Sequence, residues 1–205
     1  LAGRVFLASI AEAQDDFGSS IYDQVLAKLE NLTPGETITV ELGTEKDTFN
    51  VGETIEARLR MNADSYLVLM EISPAAGIRF LIPSRQIPNN KVKGKRVYST
   101  LYDFKLKLQG TSAPGYEILN LFCSPEKIDL FDTALSEKKP YYTITPKDEE
   151  QLRKLLDRLE HLQKQEWSGK SVTVWIANPK SENFFSIASP GAIPSTLNKF
   201  FPPIG

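Results

Sequence analysis

The sequence predicts a mainly β protein: an antiparallel β-sandwich with helical segments at its flanks. Three observations predict it. Between Thr37 and Cys123 apolar residues recur at a period of two, in six or seven short runs separated by Gly, Pro, Asn and Asp turns. Two of those runs, Tyr66–Ile72 and Tyr116–Cys123, are apolar on both faces, as central strands are. Helical spacing is confined to Ile21–Leu32 and Leu152–Leu162.

The first segment, residues 1–36, is acidic and reads as helical. Ser20 and Asp23 have the spacing of a capping box, and Ile21, Val25, Leu29 and Leu32 follow on one face. Thr33-Pro34-Gly35 ends the helix, because proline disfavours helical backbone in the residue before it. Residues 4–11 fit a short strand and a helical turn equally well.

The second segment, residues 37–177, is the sandwich. Ile38, Val40 and Leu42 alternate with Thr39 and Glu41; Phe49–Glu53 follows a turn, and Gly52 there supplies backbone freedom at a strand entry. Ile55, Ala57, Leu59 and Met61 alternate with Glu56, Arg58 and Arg60, which describes a strand with one wet face. Asn62–Ser65 turns the chain into the central run Tyr66–Ile72, and Ile78–Pro83 follows, ended by a proline that lacks a ladder N–H. A polar loop comes next. Phe104, Leu106 and Leu108, alternating with Lys105 and Lys107, predict another half-wet strand before the run at Tyr116–Cys123.

After Pro125 the pattern is irregular until Thr145-Pro146-Lys147-Asp148, which predicts a helix over 147–166 with Thr145 as N-cap and Pro146 at the first helical position. Leu152, Leu155, Leu156, Leu159 and Leu162 form one stripe, expected to lie on the sheet rather than on a partner helix. Val172, Val174 and Ile176 form a closing strand. The third segment, residues 178–205, carries Pro179, Pro190, Pro194, Pro202 and Pro203 among Phe184, Phe185, Ile187, Phe200 and Phe201. So apolar a tail is expected to wrap the domain rather than act as a linker or a detachable arm.

Composition restricts the chemistry. The 205 residues carry 24 Lys+Arg against 26 Asp+Glu, so the net charge gives no general affinity for nucleic acid or anionic membrane. One cysteine excludes an internal disulfide and a multi-cysteine metal cage, and one histidine excludes most zinc-hydrolase sites. The apolar run Val5–Ala11 is too short to span a membrane. Ala11-Glu12-Ala13 has the form of a signal-peptide cleavage site, but Arg4 is the sole charge before it, and any export signal is expected upstream of Leu1.

A Cys–His dyad would have to be Cys123 with His161, yet Cys123 lies in an apolar strand and His161 on a mostly charged helix. Gly110–Gly115 misses the G-x-S-x-G spacing by one residue, and no phosphate-cradling glycine motif is present. No catalytic residue, metal or cofactor is therefore expected. A carboxylate pair for sugar hydrolysis stays open, since 26 acids offer many pairs.

Charge is unevenly distributed. Residues 1–56 hold eleven acids and three bases, whereas 79–107 hold eight bases against Asp103 alone, interleaved with Tyr98, Tyr102 and Phe104. Lys91, Lys93, Lys95 and Arg96, with Lys105 and Lys107, are the candidate anion-binding residues. A solvated face balanced by the acidic segment is the plainer reading of the same residues.

Phe49-x-Val51-Gly52-Glu53, Asp64-x-Tyr66-Leu67, Phe80-Leu81-Ile82-Pro83 and Pro114-Gly115-x-Glu117, with the leucine-rich helix running into Trp167, resemble the bacterial domain-of-unknown-function family number 4384. Ser84 departs from that pattern, which often has Asn after the proline. The resemblance implies an Ig-like sandwich acting as an accessory domain in a bacterial periplasmic, envelope-associated or multidomain protein, and brings no catalytic residues. The function expected is a non-catalytic module for protein–protein contact. The alternatives are a module binding an anionic polymer, polysaccharide or peptidoglycan through the basic 91–107 region, and a glycan hydrolase with a carboxylate pair.

Overall fold

A computed structural model describes residues 20–73, 76–110, 114–131 and 140–177. The expected wrapping of 178–205, the reading of residues 1–19 and part of the Gly110–Gly115 turn lie outside the described residues. Among the described residues the chain is mainly β with two helices. In order it forms α1 (Ile21–Glu30), β1 (Val40–Thr44), β2 (Thr48–Asn50), β3 (Thr54–Ile55), β4 (Ala57–Met61), β5 (Ser65–Ser73), β6 (Gly77–Ile82), β7 (Lys91–Val92) and β8 (Val97–Ser99). Then come β9 (Leu108–Gln109), β10 (Gly115–Ser124), β11 (Tyr142–Ile144), α2 (Glu149–Leu162) and β12 (Ser168–Ala177).

The strands form a large sheet ordered β11-β6-β5-β10-β12-β2, with β7 added beside β5; a small sheet ordered β1-β4-β8; and the short pair β3-β9. All pairings are antiparallel except β12 with β2, where Trp175–Ala177 runs parallel to Thr48–Asn50. Tyr66–Ile72 and Tyr116–Cys123 are central as expected, paired to each other from Ile118↔Ile72 to Ser124↔Tyr66.

Their two apolar faces meet two different layers. Leu67 and Leu69 of β5, with Leu119, Leu121 and Cys123 of β10, join Leu42, Ala57, Leu59 and Met61 of the small sheet in one core. Val68, Met70, Ile72 and Phe122 point the other way, into a second core with Tyr22 and Val25 of α1 and Leu152, Leu155, Leu159 and Leu162 of α2. The leucine stripe therefore lies on the large sheet, with helices on one face and a second sheet on the other. Phe80, Phe131 and Tyr142 close the second core near β11, with Phe80 and Phe131 4.3 Å apart at their ring centres.

Local chemistry sets the helix ends. Ser20 caps α1 with the predicted reciprocal box: Asp23 N donates to Ser20 Oγ at 3.1 Å, and Ser20 N to Asp23 Oδ2 at 3.1 Å. α2 begins at Glu149, later than a cap at Thr145 predicts. Its N-cap is Asp148, whose side chain turns back to accept from Thr145 N (2.7 Å) and Thr145 Oγ1 (2.8 Å). Those bonds close a turn ahead of the helix, so Thr145 and Pro146 precede it rather than start it. The helix stops at Leu162, short of 166, and β12 starts at Ser168, where Gly35 N donates to Trp167 O at 2.8 Å.

Other expectations change. Phe104–Leu108 alternates in burial, with Leu106 and Leu108 inside and Lys105 and Lys107 outside, yet only Leu108 belongs to a strand. The backbone reverses at Lys105 (φ 56°), and Leu106 N bonds to Thr100 O at 2.8 Å instead of joining a ladder. The polar loop after Pro83 contains β7 and β8, and β8 supplies the third strand of the small sheet through Arg58↔Ser99 to Arg60↔Val97. The run from Ile55 to Met61 breaks at Glu56. Ser84 closes its loop by exchanging backbone bonds with Ile87, each 3.0 Å long. Gly52 has φ 78°, the left-handed backbone expected of it. Among the described residues no helix is long and apolar enough to cross a membrane.

Candidate functional site

Two central strands buried on both faces leave little room for reactive groups. Cys123 is fully buried toward the small sheet, and burial pushes its thiol up to about 12. His161 is exposed on α2, which packs against the opposite face of the large sheet, and its Nδ1 lies 2.8 Å from Asp157 O. A β-sheet separates the two. They form no dyad.

Two carboxylates do share a sheet face. Glu71 of β5 and Glu117 of β10 both point to the small-sheet side, two positions apart across the Leu119↔Glu71 pairing, a diagonal spacing of about 7–8 Å. They are 4% and 2% exposed. Arg79, opposite Glu71 on β6, donates to Glu71 Oε2 through Nε at 3.1 Å and through Nη2, and its guanidinium lies 5.8 Å from the Tyr141 ring centre. Burial raises the Glu71 carboxyl above its ordinary value; Arg79 opposes that shift and Glu117 adds to it. So enclosed a pair, with Glu71 bound to arginine, does not reach a glycosidic bond and its attacking water. Among the described residues no three His, Cys, Asp or Glu side chains group closely enough to hold a metal ion.

The six candidate basic residues divide. Lys93 Nζ donates to Asp64 Oδ2 at 2.8 Å while Gly94 N donates to Asp64 Oδ1 at 2.9 Å, which fastens the turn between β7 and β8. The Lys93 hydrogen bond is the main cause holding the Asp64 carboxyl below its ordinary range. Arg96 pairs with Asp103 and covers the Tyr98 ring at 4.8 Å. Lys91 sits 5.2 Å over the Tyr66 ring. Lys95, Lys105 and Lys107 are exposed and make no ion pair with the described residues. Lys95 lines an open cleft together with Thr39, Glu41, Arg60 and Asn62. Tyr98, stacked on Phe104 at 5.6 Å, is buried, which leaves Tyr102, 61% exposed, as the open aromatic of the basic stretch.

Sequence periodicity did not single out the most exposed apolar feature of the large sheet. Tyr116 of β10 and Trp175 of β12 are directly opposite each other, 36% and 52% exposed. Val174 and Ile176 point into the core shared with the small sheet, so Trp175 projects from the helix side of the sheet. On that side Tyr22 of α1 donates to Ser73 O at 3.1 Å, and burial, with a smaller effect of Tyr116, pushes its hydroxyl up to about 12. The signal was present in the alternation of the closing strand, which turns Trp175 outward whenever Val174 and Ile176 turn inward. No protein-family model matches the chain, and no curated protein or solved structure matches it.

Proposed function

We propose that the chain is a non-catalytic accessory module, an Ig-like β-sandwich with a helical layer, that makes protein–protein contact within a bacterial envelope-associated or multidomain protein. The observation that carries this reading is the Tyr116–Trp175 pair. A cross-strand aromatic pair beside half-buried Ile118 forms a flat apolar surface on a rigid sheet. Tryptophan and tyrosine are the residues that most often anchor protein interfaces. A tryptophan presents about 150–250 Å² in all, so covering the exposed half of Trp175 releases about 2–3 kcal/mol. That is the scale of an interface hot spot. The bacterial and envelope context rests on the family resemblance of the strand motifs.

Photo-crosslinking in the producing cell tests it. A photoreactive phenylalanine analogue at position 175 is expected to give a discrete protein adduct. The same group at Thr143, exposed on the opposite edge strand β11, is expected to give none. Equal labelling at the two positions, or none at 175, removes the proposal.

A further inference from the structure

The helical layer roofs only part of the large sheet. Its core takes Val68, Met70 and Ile72 from β5 and Phe122 from β10, but no described side chain of β12 or β2. Alternation therefore leaves Trp175 and Thr173 of β12 and Thr48 of β2 facing solvent beside Tyr116. The side chains that β2, β10 and β12 turn to this face are uncharged, because Lys170 and Glu117 point to the opposite side.

The geometry restricts what can lie there. Trp175 N donates to Asp47 O at 2.7 Å, and Trp175–Ala177 pairs with Thr48–Asn50, so the edge of β12 beside the tryptophan is already taken. An occupant must lie on the face rather than add a strand. The chain itself leaves β12 at Ala177, two residues beyond Trp175 and on the same face, with the Ala177 carbonyl held by Val51 N at 3.1 Å. Whatever follows Ala177 starts about 7 Å from the tryptophan.

The sequence after Ala177 suits that position. Asn178-Pro179-Lys180-Ser181-Glu182-Asn183 is polar and rich in turn formers, and the uncharged run Phe184-Phe185-Ser186-Ile187 follows it. Six residues span at most about 20 Å, enough to reverse and bring the phenylalanines back over Tyr116 and Trp175. Val5–Ala11, the apolar run ahead of α1, suits it less: eight residues including Glu12, Asp15 and Asp16 separate it from Ser20, and it holds one aromatic.

We propose that Phe184–Ile187 folds back onto the Tyr116–Trp175 face and covers it, so that this chain's own segment and an outside protein compete for one surface. The competition rests on the reading of that face as the protein contact; the cover does not. So short a connection gives an effective concentration of about 1 mM, and a segment of about millimolar intrinsic affinity is then closed about half the time. The face is sheltered from weak encounters and opens to a partner of about micromolar affinity.

Cross-linking in the purified full chain tests the cover. With a photoreactive phenylalanine analogue at 175 and dilute protein, peptide mapping is expected to find an intrachain adduct within Phe184–Ile187. The same group at Thr143, on the opposite edge strand, is expected to give none there. In the full chain carrying Phe184→Ser and Phe185→Ser, acrylamide quenching of tryptophan is expected to rise about twofold, the change from half-closed to open. Trp167 is buried in the helix-side core and contributes little. An unchanged melting temperature confirms that the double variant leaves the domain folded. An adduct confined to residues 1–19, a cross-linked dimer, no adduct, or unchanged quenching overturns the proposal. The cellular experiment separates the two readings. An intrachain adduct in the purified protein with no cellular protein adduct, even in the double variant, upholds the cover and removes the partner. A cellular adduct without the intrachain one does the reverse. With both present, the double variant is expected to raise the cellular adduct about twofold, and an unchanged yield overturns the competition.

Discussion

Leu159→Ala tests whether α2 is part of the fold or a surface held ready for a partner helix. Leu159 has no exposed surface and lies in the core that α2 shares with Val68, Met70 and Phe122 of the large sheet. Leucine truncation in such a core costs about 2–5 kcal/mol, the transfer term plus the cavity left behind. The site has little freedom to collapse, because the sheet beneath is packed against a second sheet on its far side. For a chain of this size each kcal/mol lowers Tm by about 2–4 °C. Urea unfolding followed by circular dichroism and Trp167 fluorescence reads the change directly, since Trp167 belongs to the same core. The midpoint is expected to fall while the denaturant slope stays constant. A loss below about 1 kcal/mol would refute the reasoning, because a stripe reserved for a partner gives up little on truncation in the isolated chain.

Two further predictions follow from the buried titratable groups. Cys123, with its thiol pushed up to about 12 by burial, is expected to resist a thiol reagent at neutral pH in the native protein and to react stoichiometrically in urea; rapid native labelling would show that the sheet core opens. Burial raises the Glu71 carboxyl above its unfolded value, so the folded protein holds this proton more tightly than the unfolded chain. The contribution to stability is then full below the unfolded value of about 4.5 and is lost as pH rises through the higher folded value. Denaturant midpoints measured against pH for wild type and Glu71→Gln should shift in favour of the variant as pH rises from about 4.5. A difference that is flat with pH, or that favours wild type at higher pH, contradicts that direction.

The sequence by itself determined the elements whose signals are local or strictly periodic. The Ser20–Asp23 box marks the start of α1, and the doubly apolar runs around Leu69 and Leu121 announce strands covered on both sides. The leucine spacing of α2 names the face that meets the sheet. These outcomes depend on neighbours within a few residues, where side-chain direction follows backbone period. Tertiary structure decided what depends on contacts distant in the chain. Alternation at Phe104–Leu108 records burial, but Lys105 reverses the backbone, and Val97–Ser99 takes the ladder position beside β4 instead. The basic stretch looked like one surface because Asp64, which fastens Lys93, stands 29 residues before it in the chain. Only the pairing of β1 with β4 and the turn at Gly94 set Lys95 beside Arg60 and Glu41. Charge and exposure are properties of the assembled surface, and a one-dimensional pattern carries them only where the surface is built from consecutive residues.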